Sequence, residues 1–215
     1  MCGRFAITVQ MSDVKKSFEI TRVLNEFKPS YNVAPSQGIP VVLAGRVLDS
    51  YRWGLIPHWT KENKLGFMMI NARVEGVAEK PGFRQAFLNQ RCIIPATGFF
   101  EWKKEKGVKV PQYIQLRDRE LYGFAGLWDR WCSPDGKDIS SCAIMTTESN
   151  EFMKPIHDRM PVILEKKDEE AWLSGQGTKE HLSMLKPSTE EMKSHAVSTL
   201  VNSPKNNSPE CIKAV

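Results

Sequence analysis

Cysteine is scarce: five in 215 residues, at positions 2, 92, 132, 142 and 211. The count is odd and the gaps are wide. Neither a disulfide framework nor the closely spaced ligand pairs of a zinc site can be read from them. Long apolar runs are missing as well. No stretch of about 18 apolar residues occurs, which excludes a transmembrane helix. The opening residues MCGRFAITVQ lack the basic start, apolar middle and small-residue cleavage site of a secretory signal. A reducing cytoplasm is therefore expected, with the thiols mostly buried and inert. Internal repeats, low-complexity tracts and Pro/Ser-rich linkers are also absent, so residues 1–215 are expected to form one continuous domain.

What remains is an ordinary globular composition, 41% apolar and 26% charged, with enough length for one substantial core. The net charge of +5 permits a polyanionic partner without requiring one. Apolar runs of strand length, punctuated by Gly and Pro, cover residues 4–9, 39–43, 91–95, 113–116, 121–127, 142–146 and 161–164. Helical patterns are fewer. Ser12 is a potential cap for a helix reaching Phe27, with shorter helices at 82–88, 168–174 and 179–185. The last residues, 201–215, read as loop, with 211–215 as a possible edge strand. Strands outnumber helices and do not alternate with them, which predicts an α+β fold on a curved, mainly antiparallel sheet or open barrel.

Several segments carry residues suited to chemistry. An initiator Met is normally removed before a small residue, and removal here would expose Cys2 as a 1,2-aminothiol. Its amine and thiol titrate at about 7.7–8.0 and about 8.5, so both are available near neutral pH. Such a pair condenses with an aldehyde: the amine forms an imine, and the thiol closes on the imine carbon as a five-membered thiazolidine. In Ile70–Glu75, Asn71 and Arg73 would share one side of an extended segment, and an Arg73–Glu75 surface pair is the plain structural alternative. Glu101 lies among Phe99, Phe100 and Trp102, where an apolar setting would raise a carboxyl pKa and suit it to acid–base work. A strand-edge Glu turned to solvent is the competing reading. His157 precedes an apolar strand in Ile156–Pro161, with Arg159 two residues on; His58, His181 and His195 read as isolated surface residues. Trp53, Trp59 and Trp102 fall near these polar segments and could stack on bases.

Seven stretches, in order, resemble the SRAP family (SOS response-associated peptidase domain), whose members process abasic sites. They are MCGRF at 1–5, YNVAP at 31–35, WGL at 53–55 through Trp59, NARVE at 71–75, GFFEW at 98–102, FAGLW at 124–128 and IHDRMP at 156–161. Val201, Asn202 and Asn206 match the closing segment. The resemblance implies a single α+β domain with a β-barrel-like, PUA-like core, short flanking helices and a narrow basic cleft for single-stranded DNA. It implies that Cys2 is the crosslinking nucleophile, that Asn71 positions it, and that Glu101 and His157 are the acid–base pair. Arg4, Arg73 and Arg159 would hold phosphates, and Pro35, Trp59, Trp102 and Thr146 would line the DNA path. Strand cleavage at the lesion and self-removal of Met1 are implied side activities. No cofactor and no metal are implied, nor any membrane partner; a monomer is expected, in the cytoplasm beside the nucleoid of a bacterium or in a eukaryotic nucleus. Thr60 and Gly82 stand where some members carry Trp and a bulky apolar residue, which bears on preference for single-strand/double-strand junctions.

Other functional classes fit the same residues. A Cys nucleophile beside Asn, Glu and His suits an N-terminal-Cys peptidase or amidohydrolase. A PUA-like module binding nucleic acid without catalysis would leave Cys2 incidental.

Overall fold

Short strands dominate because β-branched and aromatic residues recur at period two between turn residues. The computed structural model describes residues 2–61, 69–175 and 179–215. The strands begin with β1 (Phe5–Ile7), β2 (Arg22–Val23), β3 (Ser30–Val33), β4 (Gly38–Leu43), β5 (Val47–Trp53) and β6 (Asn71–Arg73). They continue with β7 (Arg91–Ala96), β8 (Gly98–Glu105), β9 (Val108–Leu116), β10 (Tyr122–Cys132), β11 (Asp138–Glu148), β12 (Arg159–Pro161) and β13 (Met192–Ala196). The helices are short: α1 (Met11–Ser17), α2 (Arg84–Asn89), α3 (Glu169–Leu173) and α4 (Lys179–Met184).

One sheet runs β13-β9-β8-β1-β3, and the other runs β12-β11-β10-β7-β4-β5-β2 with β6 beside β11. In the second sheet β11 also pairs in parallel with β5, Ser141 opposite Arg52 and Cys142 opposite Trp53. That pairing closes β5, β4, β7, β10 and β11 into a five-stranded mixed barrel, leaving those strands no open edge between them. The expected α+β fold with a barrel-like core and flanking helices is what the chain adopts.

Alternation along β1 and β8 builds two apolar layers. Phe5, Ile7 and Phe99 face the main core, whereas Ala6 and Phe100 join Tyr113, Val197 and Val201 beneath the C-terminal segment. Phe5 ties the sheets together edge-on, with ring centroids 5.2 Å from Trp53 and 6.0 Å from Phe124.

The first helix is shorter than its pattern predicts. It ends at Ser17, and Glu19 takes a left-handed φ of 52° that stops propagation. Its start is marked not by Ser12 but by Gln10, whose amide donates to Asp13 Oδ2 at 2.9 Å. The C-terminal stretch forms 3₁₀ turns at Thr199–Asn202 and Pro209–Cys211 and a single bridge between Val197 and Ala214, in place of an edge strand.

Candidate active site

Backbone register brings Cys2 to Glu101. β1 runs antiparallel to β8, Phe5 opposite Phe99 and Ala6 opposite Gly98. The Phe100 amide donates to the Arg4 carbonyl at 2.9 Å, continuing the track. Residues Cys2–Arg4 therefore run beside Phe100–Trp102. Gly98 permits this approach: a Cβ there would lie 2.3 Å from the Tyr113 ring. Asn71, at the start of β6, is aligned with Ile144 of β11, and its Nδ2 donates to the Cys2 carbonyl at 2.9 Å. Glu101 shares the inward face of β8 with Phe99 and is 3% exposed, which rules out the solvent-facing reading. His157 closes the turn between β11 and β12, its amide donating to Met153 O at 2.9 Å. Its Nε2 stands 3.9 Å from Glu101 Oε2. Cys2, Asn71, Glu101 and His157 thus meet at one place, from the segment before β1, from β6, from β8 and from a loop.

Electrostatics follow from burial. The Cys2 thiol is fully buried, and its Sγ lies 3.9 Å from the Arg4 carbonyl. Burial, and secondarily the Glu101 charge, push its pKa up, so the thiol form dominates at neutral pH. Burial also raises the pKa of Glu101, against nearby positive charge that includes His157. The Arg159 amide donates to His157 Nδ1 at 3.0 Å, so the neutral ring carries its proton on Nε2, toward Glu101. Asp158 Oδ1 lies 2.8 Å from the same Nδ1, a contact suited to the doubly protonated ring. At 3.9 Å His157 and Glu101 are near enough to interact electrostatically, but that separation is too long for a direct hydrogen bond between these two atoms.

A second network fixes Arg4 and Trp102. Arg4 Nη1 donates to Asn32 Oδ1 at 2.8 Å and to the Val201 carbonyl, and its guanidinium lies 6.0 Å from the Trp102 ring centroid. Asn32 Nδ2 in turn donates to the carbonyls of Ser203 and Asn206, at 3.0 and 2.7 Å. Trp102 Nε1 donates to Asn202 Oδ1 at 2.8 Å. The closing segment therefore locks two site residues in place. Asn32 is the hub that sequence reasoning passed over; its place inside the YNVAP stretch was the available signal.

The other predicted contacts differ in availability. Arg73 is exposed, whereas Arg159 makes a bidentate pair with Glu75, at 2.6 and 3.0 Å, and donates to Thr146 O at 2.6 Å. The acid Glu75 thus pairs across strands with Arg159, not with Arg73. Thr146 is buried, and its Oγ1, like Asn71 Oδ1, has no hydrogen-bond partner among the described residues. Pro35 is half-buried in the turn between β3 and β4. Trp59 is 56% exposed, its segment pinned by the His58 amide on Asp129 Oδ2 (2.9 Å) and by Trp131 Nε1 on Thr60 O (2.5 Å). Trp53 is fully buried and donates to Ile70 O, so it cannot stack on a base. Nor is His181 a surface residue: it is buried, with Nε2 2.9 Å from Ala171 O, because α4 packs against α3. His58 is held by Asp129, and His195 Nε2 lies 2.8 Å from Ile212 O. Met1, whose removal the aminothiol chemistry needs, lies outside the described residues.

A cleft of about 520 Å³ opens onto this place, lined by Glu101, Trp102, Lys104, Lys109, Ile156 and His157. No cluster of three or more metal-ligating side chains occurs among the described residues.

Residues 1–204 match the family model described as SOS response associated peptidase (SRAP). The chain is 46% identical, over the full length of both, to the abasic site processing protein YoqW of Bacillus subtilis (strain 168). It is 33% identical to the abasic site processing protein HMCES of Xenopus tropicalis, covering all of this chain and 78% of that one. Among solved structures, a protein from Bacteroides thetaiotaomicron superposes with a TM-score of 0.90 at 28% identity, each chain covered completely. With the family model spanning nearly the whole chain and full-length relatives at this identity, the protein belongs to the SRAP family.

Proposed function

We propose that this protein recognises abasic sites in single-stranded DNA and bonds to them covalently through Cys2 after Met1 is removed. The observation that carries the reading is the convergence on Cys2: its carbonyl is held by Asn71, and its thiol sits in the field of a buried Glu101 that faces His157. An abasic sugar opens to an aldehyde. The Cys2 amine adds to that carbon, and the resulting hydroxyl leaves as water, taking a proton from Glu101 or His157. The thiol sulfur then adds to the imine carbon, and its proton ends on the nitrogen, closing the thiazolidine. A thiol held neutral by burial suits this order, since the imine is the stronger electrophile and forms first. Asn71 fixes the backbone of Cys2 so that amine and thiol face the same carbon.

The test is intact mass after mixing with an abasic single strand. The expected product is the chain without Met1 plus the oligonucleotide minus one water. Amide turnover on peptides without any adduct supports the hydrolase reading instead, and neither product leaves a binding module.

Affinity for undamaged single strands is expected to fall with salt, each phosphate contact adding about −0.7 to the log–log slope. Arg73→Ala should remove about one such contact without creating sequence preference. Arg159→Ala should weaken binding further, because it also strips Glu75 of its partner and leaves a carboxylate facing the strand. Binding titrations across salt check this, and an unchanged slope in Arg73→Ala shows that Arg73 touches no phosphate.

A further inference from the structure

The β8–β9 hairpin carries a charge arrangement that the chemistry at Cys2 does not use. Its two-residue turn is Lys106-Gly107, with left-handed φ of 49° and 85°, the pattern of a type I′ turn. A turn of that length fixes register, and here Glu105 pairs with Val108 and Lys104 lies directly opposite Lys109. Facing residues of an antiparallel pair project to the same side, so the two ammonium groups are neighbours. Like charges in that position destabilise a hairpin. The hairpin's own carboxylate does not relieve them, because Glu105 bonds Lys103 at 2.8 Å, one position along β8 and so on its opposite face. Neither Lys104 nor Lys109 has an ion-pair partner among the described residues. Both line the cleft that holds Glu101 and His157, together with Trp102, which shares their face of β8. Glu101 shares the opposite face with Lys103 and Glu105, so the cleft reaches around the edge of β8 that β1 leaves unpaired beyond Phe100. A local arrangement that weakens the hairpin yet places two cations on the lining of the site cleft suits a polyanion subsite.

We propose that Lys104 and Lys109 form a phosphate subsite that takes the DNA backbone on one side of the abasic nucleotide. The strand leaves the reacting centre across the edge of β8, passes Trp102 and is held by this pair. The assignment deepens the proposed function and rests on it for the identity of the strand, but its test does not depend on bond formation.

The test uses full-length protein and single strands bearing a tetrahydrofuran abasic analogue, which has no aldehyde and cannot crosslink. One strand extends only 5′ of the analogue and another only 3′. For Lys104→Gln/Lys109→Gln, affinity is expected to fall roughly tenfold or more for one strand, two charge-assisted contacts being lost. The salt slope for that strand should drop by about 1.4, while the other strand is unaffected. Lys104→Arg/Lys109→Arg should retain wild-type slope, since arginine also binds phosphate. Equal losses on both strands would show a diffuse field effect and overturn the subsite, as would no loss on either. Crosslinking of a true abasic strand is scored separately. A one-sided slope change without any wild-type adduct sinks the crosslinking reading and leaves the subsite standing; adduct without a slope change does the reverse.

Discussion

Cys2→Ser should form no stable adduct with an abasic single strand. A hydroxyl is a far poorer nucleophile than a thiol, so ring closure fails even though the amine survives. What remains is an imine, which heat reverses and borohydride reduction traps. Fold should be intact: Cys2 is buried, but serine is smaller, and the Asn71 bond is to the backbone carbonyl. Burying a hydroxyl in place of a thiol costs about 1–3 kcal/mol at most when it goes unpaired. The measurement is denaturing electrophoresis with and without borohydride, with intact mass to confirm loss of Met1. Heat-stable adduct at the wild-type level in Cys2→Ser would sink the thiazolidine mechanism, as would retained Met1 in fully active protein.

The second large effect concerns proton transfer. Glu101→Gln and His157→Ala are each expected to slow single-turnover crosslinking by about 10²–10⁴-fold, the usual range for a general acid or base. Affinity for undamaged strands should change little, since Glu101 is buried and acts after docking. The pH dependence bears on Glu101. Burial raises the Glu101 pKa, so its carboxyl keeps a proton to higher pH than an ordinary carboxylic acid. Loss of Glu101 should therefore alter the acidic limb of the profile at a position displaced toward neutrality.

Stability offers an independent check on Glu101. Its folded pKa lies above the unfolded one, so the stability linked to its neutral form is present below the unfolded pKa and is lost as pH rises through the folded pKa. Glu101→Gln cannot ionise. The variant should gain in melting temperature relative to wild type as pH rises from the acidic range toward neutral, and the advantage should vanish at low pH. If both variants crosslink at the wild-type rate at every pH, Glu101 and His157 are scaffold; absence of the stability difference would show that folding does not raise the Glu101 pKa.

Much of the candidate site was legible because its residues sit in short segments with conspicuous neighbours. Glu101 among three aromatics left a buried carboxylate and a solvent-facing one both open, and burial is what the fold delivers. The strands most easily read were runs of apolar residues at barrel positions, such as 91–95 and 142–146, since both faces of those segments are covered. Strands with one wet face were missed. β5 mixes Asp49, Ser50 and Arg52 with buried Leu48, Tyr51 and Trp53, and β8 ends in a run of charge. The length of α1 was misjudged because its apolar spacing continues past Ser17, whereas the chain turns at Glu19 to let Arg22 and Val23 pair with β5.

Composition and local pattern by themselves determined the class of fold, the absence of a long apolar helix and the types of residue available for chemistry: an aminothiol once Met1 is gone, an amide, a carboxyl and an imidazole. These are properties of residues and near neighbours, so one dimension suffices to see them. Partnership was decided only in three dimensions. The parallel contact of β11 with β5 closes the barrel across about ninety residues of chain, and β6 aligned on the same strand carries Asn71 to Cys2. Likewise, Arg159 rather than Arg73 takes Glu75, and Asn32 clamps Arg4 to the closing segment. Each of these joins residues far apart in sequence, and such pairings follow from sheet register and closure, which no local periodicity encodes.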